Sequence, residues 1–112
     1  MKKIEAIVRP HRLGDVVNRL HLIGVPGMTI SDVFGNSAGA AFEGVYHGLR
    51  YRMESSPRCQ LMAVVPDELA DACVRAILHS ARTEEHGDGI IAVSDVIEAV
   101  RIRTGEIGPD CL

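Results

Sequence analysis

The sequence has no Trp and only two Tyr and two Phe among its 112 residues, so large aromatic anchors are not what fills its core. With 46% hydrophobic residues it has material for one small domain, residues 1–112, whose stability as a lone subunit is marginal; help from an oligomer interface is expected. A basic run is also missing. The twelve Lys and Arg are scattered and the formal charge is −3, so there is no field for counterion-driven binding to nucleic acid, which is not an expected partner. No apolar stretch approaches the roughly 18 to 20 residues of a membrane span, and Glu5 and Arg9 interrupt "MKKIEAIVRPHR" before a signal-peptide core can form. A cytoplasmic location without membrane insertion is expected. Metal-ligand spacing is lacking too: Cys59, Cys73 and Cys111 are an odd number without Cys-x-x-Cys company, and His11, His21, His47, His79 and His86 form no H-x-x-x-H pair. Idle or buried thiols and no structural metal follow.

What is present is a repeated change of period. "KIEAIVRP" is a short β-type run closed by a proline, after which Leu13, Val16, Val17, Leu20 and Ile23 recur at helical spacing up to Gly24, predicting strand then helix. "GMTISDVFG" alternates again, and "RCQLMAVVP" sets Cys59, Leu61, Ala63 and Val65 against Gln60, Met62 and Val64, predicting two more strands. Pro66 and Asp67 suit a helix entry, Leu69, Cys73, Ala76 and Ile77 make one stripe, and "GIIAVSDV" returns to β character. The predicted order is βαββαβ, an α+β ferredoxin-like two-layer sandwich, with "EAVRIRTG" as an additional C-terminal strand.

Three stretches suggest a site. From Asn36 to Pro57 runs a link rich in Gly, Ala and Ser, longer than compact domains usually tolerate without a functional use, and expected to be ordered by a partner. Gly87-Asp88-Gly89 falls between a helix end and a strand start, where flanking glycines let the chain turn and present amides to an anion. Arg101 and Arg103 are two apart, so on a strand both guanidinium groups share a face and fork onto a phosphate chain. Together with the Gly-Met-Thr strand start, these favour a nucleotide site.

In order and spacing, "MKKIEAIVRP", "GVPGMTISDVFG", "VVPDELAD", "GDG" and "VRIRTGE" resemble the PII signal-transduction proteins of bacterial nitrogen regulation, from Met1 to about Glu106. The resemblance implies a homotrimer with an adenine-nucleotide site (ATP, ADP or AMP) in each cleft between subunits. It implies that the link is a T-loop, about 36–57, that docks onto a membrane transporter or a regulatory enzyme. By matched position, Gly35, Val64, Gly87, Asp88 and Gly89 come from one subunit, and Met28, Thr29, Arg101 and Arg103 from its neighbour. Tyr51 matches the tyrosine that some members carry as a uridylylation site.

The chain departs from the family at informative places. At the base of the loop Asn36-Ser37-Ala38-Gly39-Ala40-Ala41 replaces a segment bearing an arginine, a lysine and the glutamine used with magnesium and 2-oxoglutarate, so 2-oxoglutarate sensing is not expected. Ile90 stands where the family has a lysine after G-D-G, removing a cation near the terminal phosphates, and Arg58 replaces a second lysine. ADP or AMP is therefore expected to bind at least as well as ATP. Bicarbonate is a possible further effector, as in the branch linked to inorganic-carbon uptake. Two other readings stay open: a slow nucleotide hydrolase using Asp88, Glu106 and His86, and a metal-responsive trimer using Cys59 or His47. The regulator, which is not an enzyme, ranks first.

Overall fold

In the computed structural model, residues 1–35 and 56–112 are described in full, and between them the backbone of Phe42–Tyr46 and Leu49–Met53. Alternation decides the first strand, β1 (Lys2–Val8), in which Ile4, Ala6 and Val8 are buried and their neighbours are not. A 3₁₀ turn, Pro10–Arg12, leads into helix α1 (Leu13–Leu22), whose Val16 and Leu20 face the core. Gly24 stops that helix. It takes φ +98°; its N–H donates to the His21 carbonyl and the Val25 N–H to that of Leu20, and buried Val25 seals the turn.

Strand β2 (Thr29–Gly35) follows, then β3 (Phe42–Tyr46) and β4 (Leu49–Met53), which pair with each other as an antiparallel hairpin, then β5 (Ser56–Val65). β5 repeats the alternation, with Cys59, Leu61, Ala63 and Val65 buried. Helix α2 (Asp67–Ala81) begins after Pro66, held extended at φ −61° and ψ 153°, with Asp67 and Glu68 in the first turn where the helix dipole favours them. Asp67 also meets the N-terminal ammonium at 2.8 Å. Ala70, Cys73, Ala76 and Ile77 form its buried stripe, and β6 (Ile90–Asp95) completes the sheet.

The sheet order is β2-β5-β1-β6, every neighbouring pair antiparallel. Both helices pack on one side of it. This is the expected ferredoxin-like βαββαβ sandwich, with the core between sheet and helices. Directly opposed residues share a face, so the pairs Glu5↔Met62, Ile7↔Gln60 and Ser31↔Gln60 mark the side away from the core.

The C-terminal strand does not form. After Asp95 the chain makes one isolated bridge, Val100↔Ile107, closed on itself by N–H donation from Arg101 to the Glu106 carbonyl and from Gly105 to the Arg101 carbonyl. Gly105 at φ +74° and the Thr104 hydroxyl, which accepts from the Glu106 N–H, turn the chain back before it can run along the sheet. Arg101 and Arg103 thus lie in a tight turn and do not share a strand face.

Candidate functional site

Residues 82–89 link α2 to β6, and one carboxylate organises them. Asp88 accepts hydrogen bonds from the Thr83 N–H at 2.8 Å, the Glu84 N–H at 2.9 Å, Arg9 Nε at 3.1 Å and the Thr83 hydroxyl. These donors, the Thr83 hydroxyl foremost, hold its carboxyl far below the usual carboxylate range. Asp88 is therefore the fastener of the loop, not a free base or a ready partner for a ligand hydroxyl.

Two arginines grip the same loop by its carbonyls. Arg9 Nη2 donates to the His86 oxygen at 2.7 Å, and Arg58 Nε to the Gly87 oxygen at 3.1 Å. In a trans peptide the N–H points opposite the C=O, so the Gly87 and Asp88 amides are aimed away from the arginines. Among the described residues no loop or cap hydrogen bond takes up the N–H of Gly87, Asp88 or Gly89. Gly89 is required by space: at φ +112° a Cβ there would lie 1.7 Å from the Ile7 oxygen. Gly87 is similarly close-packed, a Cβ meeting Arg58 Nη2 at 2.9 Å.

Beside this loop opens a cleft of about 650 Å³, lined by Ile7, Phe34, Gly35, Ser56, Arg58, Glu85 and Gly87 to Ile90, so that one carboxylate, Glu85, stands near the Arg58 cation. The glycine-loop amides suit an anion, Arg58 adds positive charge to the lining, and the exposed Phe34 and Ile90 flank it with apolar surface. Gly35, Gly87, Asp88 and Gly89 thus line one cleft, without Val64. Arg58 lines it too, and Arg9 and Thr83 hold Asp88. Arg58 was legible as a changed lysine, whereas nothing in the sequence tied Arg9 and Thr83 to Asp88.

The other expected residues lie elsewhere on the chain. Thr29 pairs with Met62, while Gly35 pairs with Ser56; Thr29 and Gly35 are six steps apart along the strand, about 20 Å at 3.3 Å per residue. Val64, opposite Lys3, stands at the Thr29 end. The segment carrying Arg101 and Arg103 leaves the sheet at that end too, where the Val96 N–H donates to the Met1 carbonyl. Arg101 folds back, Nε donating to the Cys111 oxygen at 3.1 Å and Nη1 to Glu106 at 3.3 Å. Arg103 is exposed.

This two-ended arrangement sits on a chain whose relatives are plain. A family profile described as Nitrogen regulatory protein P-II matches residues 1–106. The chain belongs to the P-II family of nitrogen regulatory proteins, which are signal-transduction regulators. It is 45% identical over 112 residues to "Nitrogen regulatory protein P-II" of Haemophilus influenzae, all of both chains being covered. It is 46% identical over 112 residues to "Nitrogen regulatory protein P-II 1" of Methanothermobacter thermautotrophicus, covering 100% of this chain and 97% of the relative. With the Escherichia coli K12 "Nitrogen regulatory protein P-II 1" it shares 42% identity over 106 residues, 95% of each chain.

Within this P-II chain the remaining site readings can be placed. Cys59 is buried 3.9 Å from Asp32, and burial first, then that carboxylate, pushes its thiol up, away from the thiolate a metal ligand needs. The alternative ligand His47, the Tyr51 side chain and the loop-base residues 36–41 lie outside the described residues. No described helix is long and apolar enough to cross a membrane.

Proposed function

We propose that this P-II chain is a cytoplasmic, trimeric, adenine-nucleotide-binding regulator that acts on a transporter or enzyme through its 36–57 loop. The observation that carries the reading is the two-ended site. A cradle, the glycine loop whose amides, among the described residues, have no loop or cap acceptor, lies at one end of the sheet, held by Arg9 and Arg58 through its carbonyls, while Met28, Thr29 and Val64 stand at the other, where the segment carrying Arg101 and Arg103 leaves the sheet. One nucleotide cannot touch both ends of a single chain across about 20 Å of strand. A head-to-tail ring sets the cradle of one subunit against the Thr29 end of the next, and three copies close it. Val64 then belongs with Met28 and Thr29, not with Gly35. The exposed Ile90, Ile97, Ile102 and Ile107 supply apolar surface for such contacts.

Phosphate is placed on the Gly87 to Gly89 amides, with Arg103 reaching it from the neighbour. Because Ile90 and the 36–41 segment offer no lysine to terminal phosphates, the effector is ADP or AMP at least as much as ATP, and 2-oxoglutarate is not sensed. No observation favours a hydrolase, since Asp88 already accepts from Thr83, Glu84 and Arg9. Calorimetry with ATP, ADP and AMP, each with and without magnesium, 2-oxoglutarate and bicarbonate, tests the proposal. ADP or AMP should bind at least as tightly as ATP. ATP binding that tightens with magnesium and 2-oxoglutarate contradicts the effector assignment, and no nucleotide binding contradicts the function.

A further inference from the structure

On the side of the molecule opposite the open sheet face, two hollows of about 460 and 550 Å³ share Arg75 and His79 and form one groove along the outer side of α2. From Ala72 to Ala81 it follows nine steps of the helix, about 14 Å at the helical rise, with Arg82 just past its end. Its cations are Arg12, Arg19, Arg75 and Arg82, and Glu84 is the lone carboxylate lining it among the described residues. Apolar surface borders these cations, with Leu22 85% and Leu78 50% exposed.

These charges are not neutralised locally. Arg82 reaches Glu84 only at 4.0 Å, and among the described residues no carboxylate lies within that distance of Arg12, Arg19 or Arg75. Asp15 and Asp71 stand four residues before Arg19 and Arg75 on the same helices and soften the field without forming those pairs. Arg12 Nε is enclosed and has no acceptor among the described residues, so its guanidinium charge is not met by a local hydrogen bond at that atom. In a chain of net charge −3, four arginines over exposed leucines make a local site for a mixed ligand.

We propose that this groove docks an acidic amphipathic helix of a partner protein, its carboxylates on Arg12, Arg19, Arg75 and Arg82 and its apolar side on Leu22 and Leu78. The length suits about three helical turns. Nucleic acid would leave the leucines without a counterpart, whereas a Glu/Leu helix satisfies both features. This surface is separate from the 36–57 loop and from the Gly87 cleft, so the inference does not depend on the nucleotide reading.

The test is fluorescence anisotropy of the full chain with a labelled synthetic helix of Glu, Leu and Ala, about 14 residues long, with Glu and Leu on adjoining stripes. Binding should weaken at least about tenfold between 50 and 300 mM salt and in the Arg19→Glu/Arg75→Glu variant. The Lys3→Gln variant, which removes a cation from the open sheet face, should bind the peptide like wild type. Arg75→Gln, a milder exposed change, should weaken binding about threefold and serves if the double variant does not fold. Equal binding by wild type and these groove variants overturns the proposal, as does tighter binding of phosphatidylglycerol vesicles or a DNA duplex than of the peptide.

Discussion

Gly89→Ala is the perturbation whose outcome the structure fixes most tightly. Two costs are joined at this position. An L-residue is strained at φ +112°, by roughly 1–2 kcal/mol. In addition the new Cβ would stand 1.7 Å from the oxygen and 2.8 Å from the carbonyl carbon of Ile7. Ile7 belongs to the backbone of β1, which is paired on both sides to β5 and β6, so the glycine loop must move instead. Moving it pulls on Asp88, which is fastened to Thr83, Glu84 and Arg9. A total of about 3 kcal/mol or more is expected from strain plus lost packing, a fall in Tm on the order of 10 °C for a chain this size. Gly24→Ala is the matched control: φ is +98°, but nothing lies within 4 Å of its Cβ, so only the conformational cost of about 1–2 kcal/mol applies. Thermal unfolding of both variants at equal protein concentration reads the difference. Equal losses would refute the claim that contact with β1 dictates glycine at position 89.

Three further outcomes follow from the same geometry. Arg103→Ala should weaken ADP binding by roughly 1.5–3 kcal/mol, the range for a charge-assisted hydrogen bond, while Arg75→Ala on the helix layer should leave it unchanged; calorimetry that shows equal effects contradicts the assignment. Asp88 has its folded pKa depressed, so the stability it contributes is present above its unfolded pKa of about 3.9 and is lost as pH falls through the folded value. Acid unfolding should therefore be flat down to about pH 5 and then steeper in wild type than in Asp88→Asn; parallel acid limbs would show that the carboxylate latch contributes nothing. Thr83→Val removes the hydroxyl that leads the Asp88 donors but keeps the Thr83 N–H bond, so it should raise the Asp88 pKa and weaken ADP binding, read by carboxyl-carbon NMR titration and calorimetry; an unmoved titration contradicts the network.

Period carried most of the fold. The alternation of Cys59, Leu61, Ala63 and Val65 and the stripe of Cys73, Ala76 and Ile77 were readable because burial on one side is a local pattern, and the structure buries those residues. "EAVRIRTG" also alternates, yet Thr104 and Gly105 turn it back upon itself, so local pattern and turn chemistry competed and the turn prevailed. At the site, Gly87-Asp88-Gly89 was visible as a motif, but the role of Asp88 was not: its partners Arg9 and Thr83 are set by tertiary packing, and Arg9 is far away in the chain. The separation of Val64 from Gly35 was equally hidden, because it depends on strand register, which needs the partner strand as well as the strand itself.

The central claim, one nucleotide site built from the cradle of one chain and the arginine turn of the next, is tested most directly by mixing two defective proteins. Arg58→Ala impairs the cradle and Arg103→Ala the turn, so each alone should bind ADP poorly. Trimers reassembled from an equal mixture should regain tight sites wherever an intact cradle meets an intact turn, to about a quarter of the wild-type stoichiometry by calorimetry. Recovery at that level is the predicted result; a mixture that binds no better than its two components, while wild type binds ADP, would contradict a site shared between subunits.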